Sequence, residues 1–213
     1  MTLPLPRWSL IVFILAGISL GAHARIGEDR STLERRLTEA AAVEVTDNEI
    51  IAQHLEDAPF NGLLPTDDRE IQTSVYYKKA DGSRAYSSNL VDDRDRPVRA
   101  PDGWIVVVVY YKGRSVLEFY KRSGGLTEPE AHGILLLNRG GANWVKEKLP
   151  KDNYPSDDYK PLLSHTLHRS DYQVLANNGR GGLTLYSVGF DQHLSDTKRE
   201  REQESAPESL AGF

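Results

Sequence analysis

None of the 213 positions is cysteine, and only one is methionine. The first absence excludes a disulfide framework, a thiolate nucleophile, Cys-ligated zinc or iron–sulfur centres, and lipid attached to an N-terminal cysteine. Basic charge is also short: 26 Lys and Arg stand against 31 Asp and Glu, a formal charge of −5. A nucleic-acid footprint needs clustered cations to displace phosphate counterions, so no nucleic-acid partner is expected. Catalytic signatures are missing as well. The sequence holds no G-x-S-x-G elbow, no H-E-x-x-H, no Walker loop and no G-x-G-x-x-G, so no enzyme class and no cofactor is indicated.

What is present begins with an export address. Arg7 precedes an uncharged, largely apolar run from Trp8 to Leu20, and Gly21-Ala22-His23-Ala24 ends in the small-x-small pattern read by signal peptidase. The run has 13 residues, where a membrane span needs about 20. Residues 1–24 are therefore expected to be a cleavable signal peptide. Removing them, with Arg7 and no acid, leaves 189 residues and takes the formal charge from −5 to −6. The mature chain is expected in the periplasm or outside the cell, neither a lipoprotein nor stably inserted in a membrane. Residues 25–194 are read as one globular domain. Residues 195–213 are charged and Pro-broken, a composition expected to stay disordered.

Along the domain, Ser31 with Glu34 and Thr46 with Glu49 form capping-box patterns. Each opens a short amphipathic helix, with inward stripes of Leu33, Leu37, Ala40 and Ala41, then of Ile50, Ile51 and Leu55. From Glu70 the period changes to 2. Strands are predicted through Ile71 to Tyr77, around Tyr86 to Leu90, over Trp104 to Tyr111, Arg114 to Lys121, His165 to Ala176, and Leu183 to Phe190. Thr127, Pro129 and Glu130 mark a third helix between strands four and five, stopped by Asn138 and Gly140. This order predicts an α+β fold with an antiparallel sheet of about six strands.

The ribbon joined at Lys112-Gly113 is the most informative stretch. Uninterrupted pairing from Tyr111 opposite Arg114 places Val109 opposite Val116 and Val107 opposite Glu118. One face then carries Trp104, Val106, Val108, Tyr110, Leu117 and Phe119. The other carries Ile105, Val107, Val109, Tyr111, Val116 and Tyr120, with Glu118 and Arg114 among them. A sheet wetted on one side alternates cleanly between apolar and polar residues, and this one does not. Either another part of the chain covers the second face or a partner does. Ile105, Val107, Val109, Tyr111 and Tyr120 are accordingly the candidate binding residues.

The histidines give no metal site. His165 and His168 lie in a predicted strand, where an i, i+3 pair points to opposite faces, and His132 reads as a surface residue. Asp92, Asp93 and Asp95 lack the glycine and distal glutamate of a calcium loop, and Arg94 and Arg96 neutralise them. Tyr76, Tyr77, Tyr86, Tyr110, Tyr111 and Tyr120 all fall in predicted strands, suiting core packing and protein recognition alike.

Several of these features occur together elsewhere. The Arg25-Ile26-Gly27-Glu28 start, the Leu33 to Arg36 helix, Gly113-Arg114-Ser115 with Tyr120, Leu126-Thr127 with Glu130, and Leu135, Asn138, Gly140, Gly141 and Trp144 resemble a group of small exported bacterial proteins of uncharacterised function. Those proteins commonly end the first helix in an R-[YF]-G-x-P turn, which Leu37-Thr38-Glu39 replaces here. The helix-then-sheet order is also loosely similar to outer-membrane assembly lipoproteins and β-lactamase-inhibitor-like modules, which bind proteins on a curved sheet. The export address, the acidic charge, the strand tyrosines and the poorly alternating Ile105 to Tyr111 strand together point to a protein-interaction module that uses a sheet face, with another envelope or secreted protein as partner. Two alternatives stay open. One is an exported hydrolase using Glu118, Glu130 or His132; the other is a binder of apolar small molecules with a closed cavity lined by the valine strand and Trp104.

Overall fold

A computed structural model describes residues 26–179 and 181–204. The expected signal peptide and the last part of the expected tail lie outside the described residues. In chain order the elements are α1 (Arg30–Glu39), β1 (Val43–Val45), α2 (Asn48–Glu56), β2 (Ile71–Lys79), β3 (Gly103–Tyr111), β4 (Arg114–Arg122), α3 (Glu128–Leu137), β5 (Trp144–Val145), β6 (Leu167–Arg169), β7 (Val174–Gly179), β8 (Gly182–Ser187) and α4 (Val188–Glu204). The strands form one sheet in the order β1-β2-β3-β4-β8-β7-β6-β5. All pairs are antiparallel.

The α+β class and the antiparallel sheet agree with the sequence, but the sheet has eight strands rather than six. Two short edge strands, β1 and β5, account for part of the difference. The predicted strand from His165 to Ala176 divides into β6 and β7, because Ser170 to Gln173 turn the chain with Tyr172 at a positive φ. The segment around Tyr86 to Leu90 is a 3-10 turn rather than a strand. The last predicted strand stops at Ser187, and α4 begins directly after it. The helix extends through Glu204, so residues 195–204 of the expected tail are helical. Val188, Phe190, Asp191 and Leu194 bury its first turns, while Arg199–Asp196, Lys198–Glu202 and Arg201–Asp67 ion pairs support its charged half.

Capping followed local chemistry with small displacements. Asp29, not Ser31, caps α1 by accepting from the Thr32 N–H at 2.9 Å, and the Ser31 hydroxyl donates to the same carboxylate. Asp47, not Thr46, caps α2 through the Glu49 and Ile50 N–H groups. At α3 the capping box is present as read: the Glu130 carboxylate accepts from both the N–H and the hydroxyl of Thr127.

The β3–β4 pairing corrects the sequence reading. Lys112 and Gly113 both take positive φ, and Tyr111 opposes Arg114 as expected. The register then shifts, so that Tyr110 opposes Ser115 but Val109 opposes Leu117, leaving Val116 as the extra residue of a bulge. One inserted residue exchanges the faces of everything beyond it. Leu117 and Phe119 therefore join Ile105, Val107 and Val109, whereas Glu118 and Tyr120 join Val106 and Val108.

Both faces are covered. Over Val75, Tyr77, Ile105, Val107, Val109, Leu117 and Phe119 lie α2, the segment around Ala58 and Phe60, the segment from Leu149 to Leu163, and α4. Over Tyr76, Val106, Val108, Tyr110, Tyr120, Val174, Ala176, Leu183 and Leu185 lie α1 and α3, with Ile26 and Leu33 at one side and Ala131, Ile134 and Leu135 at the other. A two-sided core explains why β3 reads as a nearly continuous apolar run instead of an alternating one. Two glycines permit the close strand approach. A Cβ on Gly103 would lie 2.2 Å from the Lys78 carbonyl, and one on Gly182 would lie 2.2 Å from the Tyr120 carbonyl, both at positive φ.

Candidate functional site

The candidate residues of β3 lie inside the molecule. Val107 and Val109 have no exposed surface and Ile105 has 2%. Tyr111 is half-buried, stacked on His193 at 4.6 Å and packed against Phe190 of α4 at 5.9 Å. The incomplete alternation noted in the sequence thus reflects intramolecular cover, and these four residues present no docking surface in this conformation. Tyr120 sits on the opposite face because of the bulge, and it is there that an apolar groove opens.

The groove runs between α1 and α3. Leu37 and Ala40 form one wall, and Ile134 and Leu137 the other. Tyr76, Val106, Trp104 and Tyr120 make the floor, with Arg36 and Lys78 on the rim, around a volume of about 300 Å³. α1 contributes because its apolar stripe runs from buried Leu33 to half-buried Leu37, leaving the second of these open to the groove. Leu37 stands one turn beyond Leu33, whereas Ala40, expected on the inward stripe, is the exposed C-cap just past the helix end. Leu137 is 54% exposed, an apolar residue at the groove edge outside the buried Ala131, Ile134 and Leu135 stripe.

Polar contacts fix the walls. Arg36 pairs with Glu28, and Arg122 pairs with Glu130 while its guanidinium lies 5.5 Å from the Trp104 ring centroid. The Tyr120 hydroxyl donates to buried Glu118. Tyr76 and Tyr110 share a hydroxyl–hydroxyl bond of 3.3 Å, and burial raises both phenol pKa values. Arg30 braces the same layer, with its guanidinium 5.4 Å from the Tyr110 centroid and its Nη1 donating to Gln72 at 2.7 Å. Lys78 is the rim cation with no ion-pair partner among the described residues.

The residues weighed for acid–base chemistry all carry structural tasks or stand apart. Glu130 caps α3 and pairs with Arg122, Glu118 is buried beside Tyr120, and His132 is exposed on α3. Asp92 forms a local turn, accepting from the Arg94 and Arg96 N–H groups and from the Arg96 guanidinium. His168 and His165 are both buried but serve the backbone. His168 Nδ1 lies 3.1 Å from the Glu147 carbonyl, and His165 Nε2 accepts from the Leu149 N–H at 2.9 Å. Among the described residues no three His, Asp or Glu side chains are grouped as metal ligands would be. No described helix is long and apolar enough to cross a membrane.

Two buried titratable groups escaped the sequence reading. Asp191 is fully buried in α4 and accepts from the Tyr159 hydroxyl at 2.6 Å and from the Leu162 and Leu163 N–H groups at 3.1 Å each. Burial raises its pKa despite those three donors. His54 is 1% exposed, and neither ring nitrogen has a hydrogen-bond partner. Burial, aided by Lys121, lowers its pKa from 6.5 to about 4. A neutral imidazole left without partners costs about 1–3 kcal/mol. The signal for His54 was its phase: it lies four residues after Ile50, on the inward stripe of α2. The groove had a fainter one, Leu136-Leu137 continuing α3 beyond its inward stripe. No family model matches the chain, and no curated protein or solved structure matches it.

Proposed function

We propose that this chain is an exported, non-enzymatic protein-interaction module whose binding surface is the α1/α3 side of the sheet. The observation that carries the reading is the groove, an apolar floor and two apolar walls with a rim on which Arg36 is held by Glu28 and Lys78 stands as a cation without an ion-pair partner among the described residues. That lining fits a protein segment bearing large apolar side chains next to an Asp or Glu, the apolar part desolvated on Trp104 and Val106 and the carboxylate near Lys78. The export address supports an envelope or secreted partner, and Ile26, just beyond the expected cleavage point, already packs into the core of this face.

The test uses the mature chain from Arg25 and labelled peptides pairing Leu, Phe or Trp with flanking Asp or with flanking Lys. Anisotropy should show saturable binding with the acidic set preferred. Lys78→Glu should lower that preference by about two- to fivefold, the worth of one exposed ion pair. Leu137→Glu should weaken both sets by about tenfold or more, since it sets a charge on apolar surface that must be desolvated, without changing the far-UV spectrum. Binding that Leu137→Glu leaves intact, or no saturation with either set, would overturn the reading.

A further inference from the structure

The opposite, covered side of the sheet contains a different device. α2 buries only two side chains completely, Ile50 and His54. Ile51 and Leu55 pack more loosely beside them, so one of the two fully buried side chains is titratable, and its ring nitrogens are unpartnered. The charges facing it come from two elements. Lys121 of β4 opposes an imidazolium, whereas Asp57, just beyond α2, favours one but is already engaged by Lys121 at 2.6 Å. At the same end, Arg99 holds Glu56 at 2.8 Å. Lys121 stands opposite Ile105 in the sheet register, so α2 shields the Ile105 end of the apolar face.

A second cover of that face is built alike. His165 can accept from the Leu149 N–H only while neutral, with the Lys148 ammonium and the His168 ring as its neighbours. Asp191 acts in the other direction, since a buried carboxyl takes up a proton on acidification without gaining charge.

We propose that α2 is an acid-released strap: protonation of His54 lifts Asn48–Glu56 from the sheet and uncovers the apolar surface around Ile105 while the α1/α3 side stays folded. This goes beyond the groove reading and is independent of it. The closed form binds the proton at about pH 4 and the open form at about pH 6.5, so the opening equilibrium grows as pH falls between those values. From pH 8 to pH 5 the growth is about thirty-fold.

Hydrogen exchange followed by mass spectrometry, corrected for intrinsic rates, reads this directly on the mature chain. Amides of 48–56 should exchange about thirty-fold faster at pH 5 than at pH 8, while those of 104–110 and 131–137 change by less than about threefold. In His54→Leu the acceleration over 48–56 should vanish. Retention of the acceleration in that variant, or equal acceleration of all three segments, would overturn the strap. If His54→Leu does not fold, ring resonances of His54 in the wild-type chain decide the matter. Titration near pH 6.5 with no change in exchange over 48–56 would overturn it as well.

Discussion

Replacing Asp191 tests whether one buried carboxylate ties the last helix to the segment that covers the valine strand. Its two oxygens take three donors, the Tyr159 hydroxyl and the Leu162 and Leu163 N–H groups, and the Tyr186 hydroxyl holds the Leu163 carbonyl at 2.7 Å from below. Asp191→Ala strands two buried donors, the Tyr159 hydroxyl and the Leu163 N–H, and the half-buried Leu162 N–H. Each unmade bond costs about 1–3 kcal/mol, partly offset because the buried charge also disappears, so a loss of about 3–5 kcal/mol is expected. Asp191→Asn keeps the shape but turns an N–H₂ group toward at least one donor, for a loss of about 2 kcal/mol. Tyr159→Phe removes one donor and should cost about 1 kcal/mol, less when Asn already occupies position 191.

Urea unfolding followed by tryptophan fluorescence measures each difference. The pH dependence sharpens the test. The folded-state pKa of Asp191 is raised, so the folded chain binds the proton more readily than the unfolded one. The group's stabilisation is then present in acid and is lost as pH rises through the folded pKa. Asp191→Asn is flat in pH, so its deficit relative to the wild type should shrink as pH rises. An Ala variant within about 1 kcal/mol of the wild type would refute the clasp. A deficit of Asp191→Asn that grows with pH would show that its hydrogen bonds outweigh its burial.

Gly182→Ala should cost about 3 kcal/mol or more, because its Cβ meets the Tyr120 carbonyl across the β4–β8 pair. Gly113→Ala, whose Cβ meets nothing within 4 Å, should cost about 1 kcal/mol for positive φ alone, and comparable urea midpoints for the two would contradict the close-approach argument. Val109→Arg inserts a charge at a position with no exposed surface and should leave no cooperative unfolding transition in calorimetry. Glu130→Ala removes the acceptor for both Thr127 donors and the partner of Arg122. It should lower stability by about 1–2 kcal/mol in thermal melts followed by circular dichroism.

Legibility in the sequence tracked how local each decision is. The Thr127–Glu130 box and the Lys112-Gly113 turn are settled within four residues, and both were readable. At α1, Asp29 and Ser31 are both competent capping residues two positions apart, and only the tertiary bonds of residues 27–30 to Gly113 and Ser115 select Asp29. The Val116 bulge was invisible because pairing arithmetic assumes one residue opposite one. Glu118 gave no warning either, since it lies among valines in both registers, opposite Val107 without the bulge and opposite Val108 with it. α4 was missed because Asp191, Leu194 and Arg201 tie it to distant segments, and the local Arg199–Asp196 and Lys198–Glu202 pairs were hidden in a composition that reads as solvated. Whether β3's second face is covered depends on four separate pieces of chain, a non-local question that alternation alone could raise but not answer.

The eight-stranded sheet also bears on where a second chain could add to this one. An open antiparallel sheet has two edges at which a second chain could add strands. Here those edges are β1, three residues long, and β5, two residues long. β1 also carries Glu44, tied to Arg30 and Ser74. The long, apolar β3 lies two strands in from the β1 edge, hydrogen-bonded on both sides. Edge strands this short offer another copy of the chain little template for strand-by-strand growth, so the two strands with the least sequence invested in them are the ones that keep β3 away from a second chain.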